Sequence, residues 1–359
     1  MAERELETPV LIVDIDVMER NLERMMELIS ASNVRLRPHL KTAKSPALAW
    51  KMIDAGAVGV CCAKLGEAEV MANAGISDIL LTSEVAGVGK FERLVALARR
   101  VPGFKAVIDS THAVDGIAAL AAQRGVVVNL LIEIDVNTGR SGVVSAAEAL
   151  ELANHMRDTD GVRLVGLHGY AGHAQVRPAA DREQLNPQAM EVLQATIELL
   201  AEHNHDLAYI SGGGTGSVGL DVEAGVLNEV QAGSFLLMDT AYRDAGVPFA
   251  NALTCLATVI SRPSDKRAVC DAGQKTLSRD GGVPEVTGSP GVTYLRGSDE
   301  HGNLEVDSDQ LESPLNVGDV IRILPSHVCT TINLHDVMVG VRGGVVEAIW
   351  PVEARGHVW

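Results

Sequence analysis

The sequence predicts an α/β protein, a (β/α)8 TIM-type barrel followed by a C-terminal all-β domain. Three observations carry this reading. Short apolar runs alternate with helical segments about eight times over roughly 240 residues, and eight such units suit a closed barrel. Near residue 245 the texture changes to short β-type runs parted by Gly, Pro, Asn or Asp. Apolar residues make up 47% and charged residues 21%, enough for a large core and contrary to disorder. Strands each followed by a crossover helix make a parallel sheet, because parallel neighbours need that connection. An open doubly wound sheet fits less well. Its glycine fingerprint follows the first strand, whereas Gly212-Gly213-Gly214 comes late.

The elements follow in order. Val10–Ile15 reads as a buried strand. Asp16 stands at the N-cap of the next helix, with Glu19 completing a capping box. Met18, Leu22, Met25, Met26 and Ile29 line one face of that helix. Val34–Arg37 is the second strand, and Pro46 opens its helix. The pattern recurs at Val58–Leu65 with Glu67–Asn73, Asp78–Ser83 with Phe91–Arg100, and Lys105–Asp109 with His112–Arg124. Val126–Asp135 precedes Ala146–Arg157, and Val162–Tyr170 precedes a long helix near Pro187–His203. Leu207–Ile210 leads into the glycine loop, and Glu229–Met238 reads as one more short strand. The predicted domains are a barrel over 10–242 and a β domain over 243–359, with residues 1–9 packing against the latter. The β domain draws on Thr258–Ile260, Arg267–Asp271, Val292–Leu295, Leu304–Val306, Val320–Leu324, Asp336–Val341 and Val345–Trp350.

Charge removes several function classes. Thirty Lys+Arg against 47 Asp+Glu give a net charge of −17, which argues against nucleic acid and anionic membrane surfaces as partners. Aromatics at 3% leave no stacking platform for single strands. No apolar run reaches the roughly 18 residues of a membrane span, and the acidic start MAERELETP lacks the apolar stretch of a signal peptide. Five scattered cysteines read as reduced thiols, so a cytoplasmic setting is expected.

Barrel sites lie at the C-terminal ends of strands, which selects a short list. The second strand ends in Arg37-Pro38-His39-Leu40-Lys41, and a lysine there is a candidate Schiff-base amine, with Arg35 and Arg37 as nearby cations. The alternative is a surface lysine. Glu133–Arg140 closes another strand, and Arg140 suits an anionic oxygen, or a plain salt bridge. The loop Ser211-Gly212-Gly213-Gly214-Thr215-Gly216-Ser217 lets backbone N–H groups approach a phosphate, or is a tight turn. In the β domain, His327 and Cys329 stand two apart in a run read as strand, so they share a face. Imidazole plus thiolate suits Zn²⁺ over Mg²⁺, with substrate or water completing the site. A packed histidine and a buried thiol are the alternative. Lysine, phosphate loop and arginine together suggest pyridoxal 5′-phosphate (PLP), though phosphosugar enzymes share two of the three.

The sequence resembles the D-threonine aldolase/D-serine dehydratase-like family of alanine-racemase-fold, fold-type III PLP enzymes. The likeness runs almost end to end. It rests on Arg37–Lys41, Asp135 with Gly139–Val143, Gly212–Ser217, Glu229–Phe235, Asp271–Gly273, Pro325–Asp336 and the tail Ala354-Arg355-Gly356. The resemblance implies that Lys41 holds the PLP aldehyde, with His39 among the cofactor contacts. It gives Arg140 the phenolic oxygen, and it places Tyr170 along the ring. Gly214, Thr215, Gly233 and Ser234 then form the phosphate cradle, and His327 and Cys329 bind a divalent metal, Zn²⁺ or Mn²⁺, with Mg²⁺ a further option. Gln231 stands where alanine racemases place an arginine on the pyridine nitrogen. A neutral amide suits carbanion chemistry beyond racemisation.

Two positions depart from the aldolase branch of the family. That branch carries Asp where Cys329 stands, whereas the dehydratases carry Cys. It also places a histidine directly after the tyrosine; here His173 comes three residues on and is the candidate base. The expected activity is metal-dependent cleavage of a β-hydroxy-D-amino acid to glycine and an aldehyde, the D-threonine aldolase reaction. The alternative is β-elimination by a D-serine or 3-hydroxy-D-aspartate dehydratase, giving a 2-oxo acid and ammonia. A non-catalytic PLP carrier is a remote third, since it needs no β domain. A racemase needs a second acid opposite Lys41, and the Tyr294 run has no such signature. The resemblance also implies a homodimer.

Overall fold

In chain order the strands are β1 (Val10–Asp14), β2 (Arg35–Leu36), β3 (Val60–Cys62), β4 (Ile79–Leu81), β5 (Lys105–Ile108), β6 (Val128–Glu133), β7 (Val162–Gly169), β8 (Tyr209–Gly212) and β9 (Glu229–Val230). They continue as β10 (Leu253–Ser264), β11 (Arg267–Cys270), β12 (Glu285–Thr287), β13 (Val292–Gly297), β14 (Gly302–Val306), β15 (Val320–Leu324), β16 (Val337–Arg342) and β17 (Val345–Pro351). This computed structural model describes residues 1–359. Its internal contacts divide the chain into two units. A barrel unit comprises Met25–Lys41, Leu48–Gly233 and Gly356–Trp359; a β unit comprises Met1–Arg24, Thr42–Ala47 and Ser234–Arg355.

The barrel unit is an eight-stranded sheet in the order β2-β9-β8-β7-β6-β5-β4-β3, parallel at every pair. Strands β3, β4 and β5 are buried along their whole length, as sheets covered on both faces require. Closure comes just past β2. His39 bridges Cys61 in parallel, Leu40 donates its N–H to the Cys61 carbonyl at 2.8 Å, and Cys61 donates to the Pro38 carbonyl at 2.9 Å. The segment that carries Lys41 therefore closes the barrel. Cys61, Leu80, Val107 and Leu131 form an apolar cluster from four adjacent strands.

A buried ion network fills the same barrel. Arg37 is 1% exposed. It donates to both oxygens of Glu229 at 2.7 and 2.9 Å and to Asp78 at 2.6 Å, and Lys105 donates to Asp78 at 2.8 Å. Arg35 also pairs with Glu229, at 3.5 Å. The expectation that Arg35 and Arg37 act as cations on Lys41 is corrected here, because both arginines are bound to carboxylates on other strands.

The β unit has a sheet path β13-β14-β11-β10-β1-β16-β17, with β15 paired to β10 and to β12. Strand β1 lies in the middle, antiparallel to β10 (Leu11 opposite Cys255) and parallel to β16 (Ile12 opposite Val339). Ile12, Leu256, Val339 and Val341 form its core cluster. Val10–Asp14 is thus not a barrel strand, contrary to the expectation. An apolar run looks the same whichever sheet buries it, and its partners lie more than 200 residues away.

Three local readings also change. The helix after β1 spans Ile15–Ser30 and is capped by Asp14, whose Oδ1 accepts from Val17 N–H at 3.0 Å. Asp16 and Glu19 instead pair with Arg342. The long helix spans Ala179–Glu202 with Pro187 inside it. Burial of Ala189, Met190, Leu193 and Leu200 outweighs the hydrogen bond a proline forfeits. Glu229–Met238 holds only the two-residue β9 and then a 3₁₀ turn, Ser234–Leu236. No helix is long and apolar enough to cross a membrane.

Candidate active site

His39, Lys41, Arg140, Tyr170 and Gln231 line one pocket of about 150 Å³ in the barrel unit, together with Ala63, Thr82, Ser83 and His168. Each of the named polar side chains sits at or just beyond the C-terminal end of its strand, where a parallel barrel presents chemistry. The Lys41 Nζ stands 4.9 Å from the centre of the Tyr170 ring, and the Arg140 guanidinium 5.4 Å from it. Two cations thus converge on one aromatic ring. Arg140 is presented by a loop that Asp135 knots. The Asp135 carboxylate accepts from Thr138 N–H and Oγ1, each at 2.7 Å, and from Gly139 N–H at 3.1 Å. Burial opposes the charge of Asp135, but these hydrogen bonds outweigh it and hold its carboxyl below the usual range. Arg140 also reaches Glu133 at 3.4 Å, the salt bridge that its position allowed for.

Sequence reasoning missed the polar group behind this pocket. His168, 1% exposed, bonds Glu133 through Nδ1, and its Nε2 lies 3.2 Å from Gln231 Oε1. Gln231 Nε2 donates to Ser211 Oγ at 2.9 Å. Burial opposes the His168 imidazolium, yet the Glu133 carboxylate outweighs burial and holds the ring above the ordinary histidine range. The signal was a glutamate and a histidine inside otherwise apolar strand runs. His39 Nε2 meets Thr82 Oγ1 at 3.0 Å, a pairing that fixes the ring next to the lysine segment.

The glycine loop follows β8 as expected. Gly213 adopts φ +64, a conformation that favours glycine. Gly214 donates its N–H to Ser217 Oγ at 3.2 Å, and Gly216 donates to Gln175 Oε1 at 2.9 Å. Thr215, 2% exposed, sits between them. After β9, the N–H groups of Gly233 and Ser234 meet no backbone acceptor, and Ser234 is buried. Such donors suit an anion's oxygens. His173 lies in the 3₁₀ turn Gly172–Ala174; its Nδ1 is buried and without a hydrogen-bond partner.

In the β unit, β15 ends at Leu324, and His327 caps the short helix Val328–Ile332. The expectation that His327 and Cys329 share a strand face is corrected. They meet because an extended residue at the cap is followed by one helical turn. The two side chains share a hydrogen bond, and the His327 ring, held by Cys329 first and then by Asp280, titrates at about 9. Asp280 Oδ2 lies 2.6 Å from His327 Nδ1, so the carboxylate occupies that ring nitrogen. Asp280 in turn accepts from Ser278 Oγ at 2.5 Å and Thr330 Oγ1 at 2.7 Å; these bonds overcome burial and hold its carboxyl at about 2. Cys329 Sγ lies 3.2 Å from Thr42 Oγ1 and 3.7 Å from Ser234 Oγ. No group of three His, Cys, Asp or Glu side chains is arranged to hold a metal ion; His327 and Cys329 are the candidate pair, with Asp280 turned to the imidazole.

Known proteins share both halves of this arrangement. Residues 13–241 match the alanine racemase N-terminal domain, and residues 252–341 match a putative serine dehydratase domain. The chain is 40% identical over 356 residues to a D-threonine aldolase of an Arthrobacter species, covering 98% of this chain and 93% of that one. The solved D-threonine aldolase of Filomicrobium marinum is 40% identical with TM-score 0.95, covering 99% of this chain and 98% of that one. A D-threo-3-hydroxyaspartate dehydratase from Delftia sp. HT23 is 30% identical with TM-score 0.90, each chain covered in full. A cysteine-to-alanine variant of a D-threo-3-hydroxyaspartate dehydratase has been solved in a metal-free form. Likeness over the whole chain places the protein in the fold-type III class, which is built on the alanine racemase fold and works through PLP. Within that class the chain belongs to the D-threonine aldolase/D-serine dehydratase-like family.

Proposed function

We propose that the protein is a PLP- and divalent-metal-dependent lyase acting on β-hydroxy-D-amino acids by retro-aldol cleavage, the D-threonine aldolase reaction. The observation that carries this is the pocket in which Lys41, Arg140, Tyr170 and Gln231 converge. Lys41 would hold the PLP aldehyde, Arg140 the phenolic oxygen, Gln231 the pyridine nitrogen, and Gly214, Thr215, Gly233 and Ser234 the phosphate, with His39 and Tyr170 flanking. The buried N–H of Ser234, unclaimed by any backbone acceptor, fits that assignment. Bound PLP supplies an electron sink for charge developing at the substrate Cα. His327 and Cys329 would hold a divalent cation, Zn²⁺ or Mn²⁺, which would supply Lewis acidity toward the substrate's β-hydroxyl. His173, in the turn that follows Tyr170, is the residue we assign to take the β-hydroxyl proton. The protein works as a cytoplasmic homodimer.

Cys329 favours a second reading, β-elimination, because it makes the metal pair dehydratase-like. Incubation with D-threonine separates the two: glycine and acetaldehyde for the aldolase, 2-oxobutyrate and ammonia for the dehydratase. Formation of neither product overturns the lyase reading for this substrate.

Asp280 bears on the cation through His327. Replacing it with asparagine removes the carboxylate that fixes the ring. Asp280→Asn is expected to weaken Zn²⁺ affinity about 10- to 100-fold, measured by competition with a chromophoric chelator. Unchanged affinity places the Asp280–His327 contact outside the metal site.

A further inference from the structure

We propose that Gln175 is the positioning residue of the phosphate loop. This rests on reading Gly212–Ser217 as that loop. Gln175 stands in the connection after β7, directly behind the turn that carries His173, and is 3% exposed. Its Nε2 donates to the Ala171 carbonyl at 3.2 Å and to Ser217 Oγ at 2.9 Å, and its Oε1 accepts from Gly216 N–H at 2.9 Å. Both amide protons are spent, one on its own connection and one on the next.

The glycines answer to the same residue. A Cβ on Gly214 would lie 2.4 Å from Gln175 Oε1, and one on Gly216 would lie 1.8 Å from the Gln175 carbonyl oxygen. The loop is glycine-rich so that Gln175 can lie against it, and Thr215 is held between the two glycines it touches. Behind it, Ser217 Oγ accepts from Gly214 N–H and donates to Asp221 Oδ2 at 2.7 Å, while Asn186 Nδ2 donates to Asp221 Oδ1 at 2.7 Å. Gln175, Asn186, Ser217 and Asp221 are each no more than 3% exposed.

A run of glycines loses more chain entropy on ordering than any other sequence. Gln175 meets that cost in the folded protein, before an anion arrives, which is how a preorganised site gains affinity. Its contribution should therefore appear in the cofactor's phosphate and not in its aldehyde.

The test compares PLP with pyridoxal, which lacks the phosphate. Holoenzyme is resolved by dialysis against hydroxylamine, and each compound is titrated back by absorbance. Gln175→Met keeps the side-chain volume and removes every amide hydrogen bond. It is expected to weaken PLP about tenfold or more, the scale of a buried donor left unpaired, and to leave pyridoxal within about twofold. Ser217→Ala removes the hydroxyl that Gln175 holds and keeps Gln175 itself; it should shift PLP in the same direction and serves if the first variant does not fold. Equal weakening of PLP and pyridoxal, or of neither, overturns the proposal. A wild-type protein that binds the two compounds alike overturns instead the reading of the loop as a phosphate site.

Discussion

Lys41→Ala is expected to lose the yellow chromophore and to lower turnover on the order of a thousandfold or more, the scale of losing a covalent-catalysis nucleophile. Borohydride treatment of the wild-type protein should fix a pyridoxyl mass on Lys41, read by peptide mass spectrometry. The Lys41 amine is aimed into the pocket beside Tyr170 and Arg140, at the end of the segment that closes the barrel. Lys44, three residues on, is 6% exposed and has Nζ 3.5 Å from the Ala354 carbonyl in the β unit. A pyridoxyl mass on Lys44 would falsify the assignment.

Metal removal should cost nearly as much. Exhaustive chelation is expected to lower the rate about a thousandfold or more, several kcal/mol of barrier. The cofactor absorbance should stay near its starting value, because the chromophore depends on the Lys41 amine, which is not one of the proposed metal donors. His327→Ala should reproduce chelation. Cys329→Asp exchanges a soft thiolate for a hard carboxylate, so metal preference should move from Zn²⁺ toward Mn²⁺ or Mg²⁺, read as rates across a metal series. Full activity in verified metal-free protein removes the metal from the reaction and leaves Cys329 as a partly buried thiol.

The barrel was legible where the code is local. Val60–Cys62 and Ile79–Leu81 are apolar runs followed by helices, and a doubly covered sheet permits little else. Val10–Asp14 has the same composition but a different sheet, because pairing at long sequence separation leaves no mark on the run itself. The lysine, arginine and glycine loop could be read from their places at strand ends. Their supports could not. His168, Gln175 and Asp280 act through partners 35, 41 and 47 residues away, and a lone polar residue does not announce which backbone will fold against it. The pairing of His327 with Cys329 was legible as chemistry and misjudged as geometry. At His327 the backbone is extended and the helix begins at the next residue, and this turn rather than a strand alternation brings the pair together.

The central place of β1 has a consequence for how the protein is made. Its neighbours β10 and β16 leave the ribosome only after the whole barrel has been synthesised. The barrel is in effect an insertion within another domain's sheet, so the first strand must wait, apolar and unpaired, while some 240 residues fold behind it. An N-terminal lesion at Leu11 or Ile12 therefore strikes the unit that holds His327 and Cys329, hundreds of residues downstream.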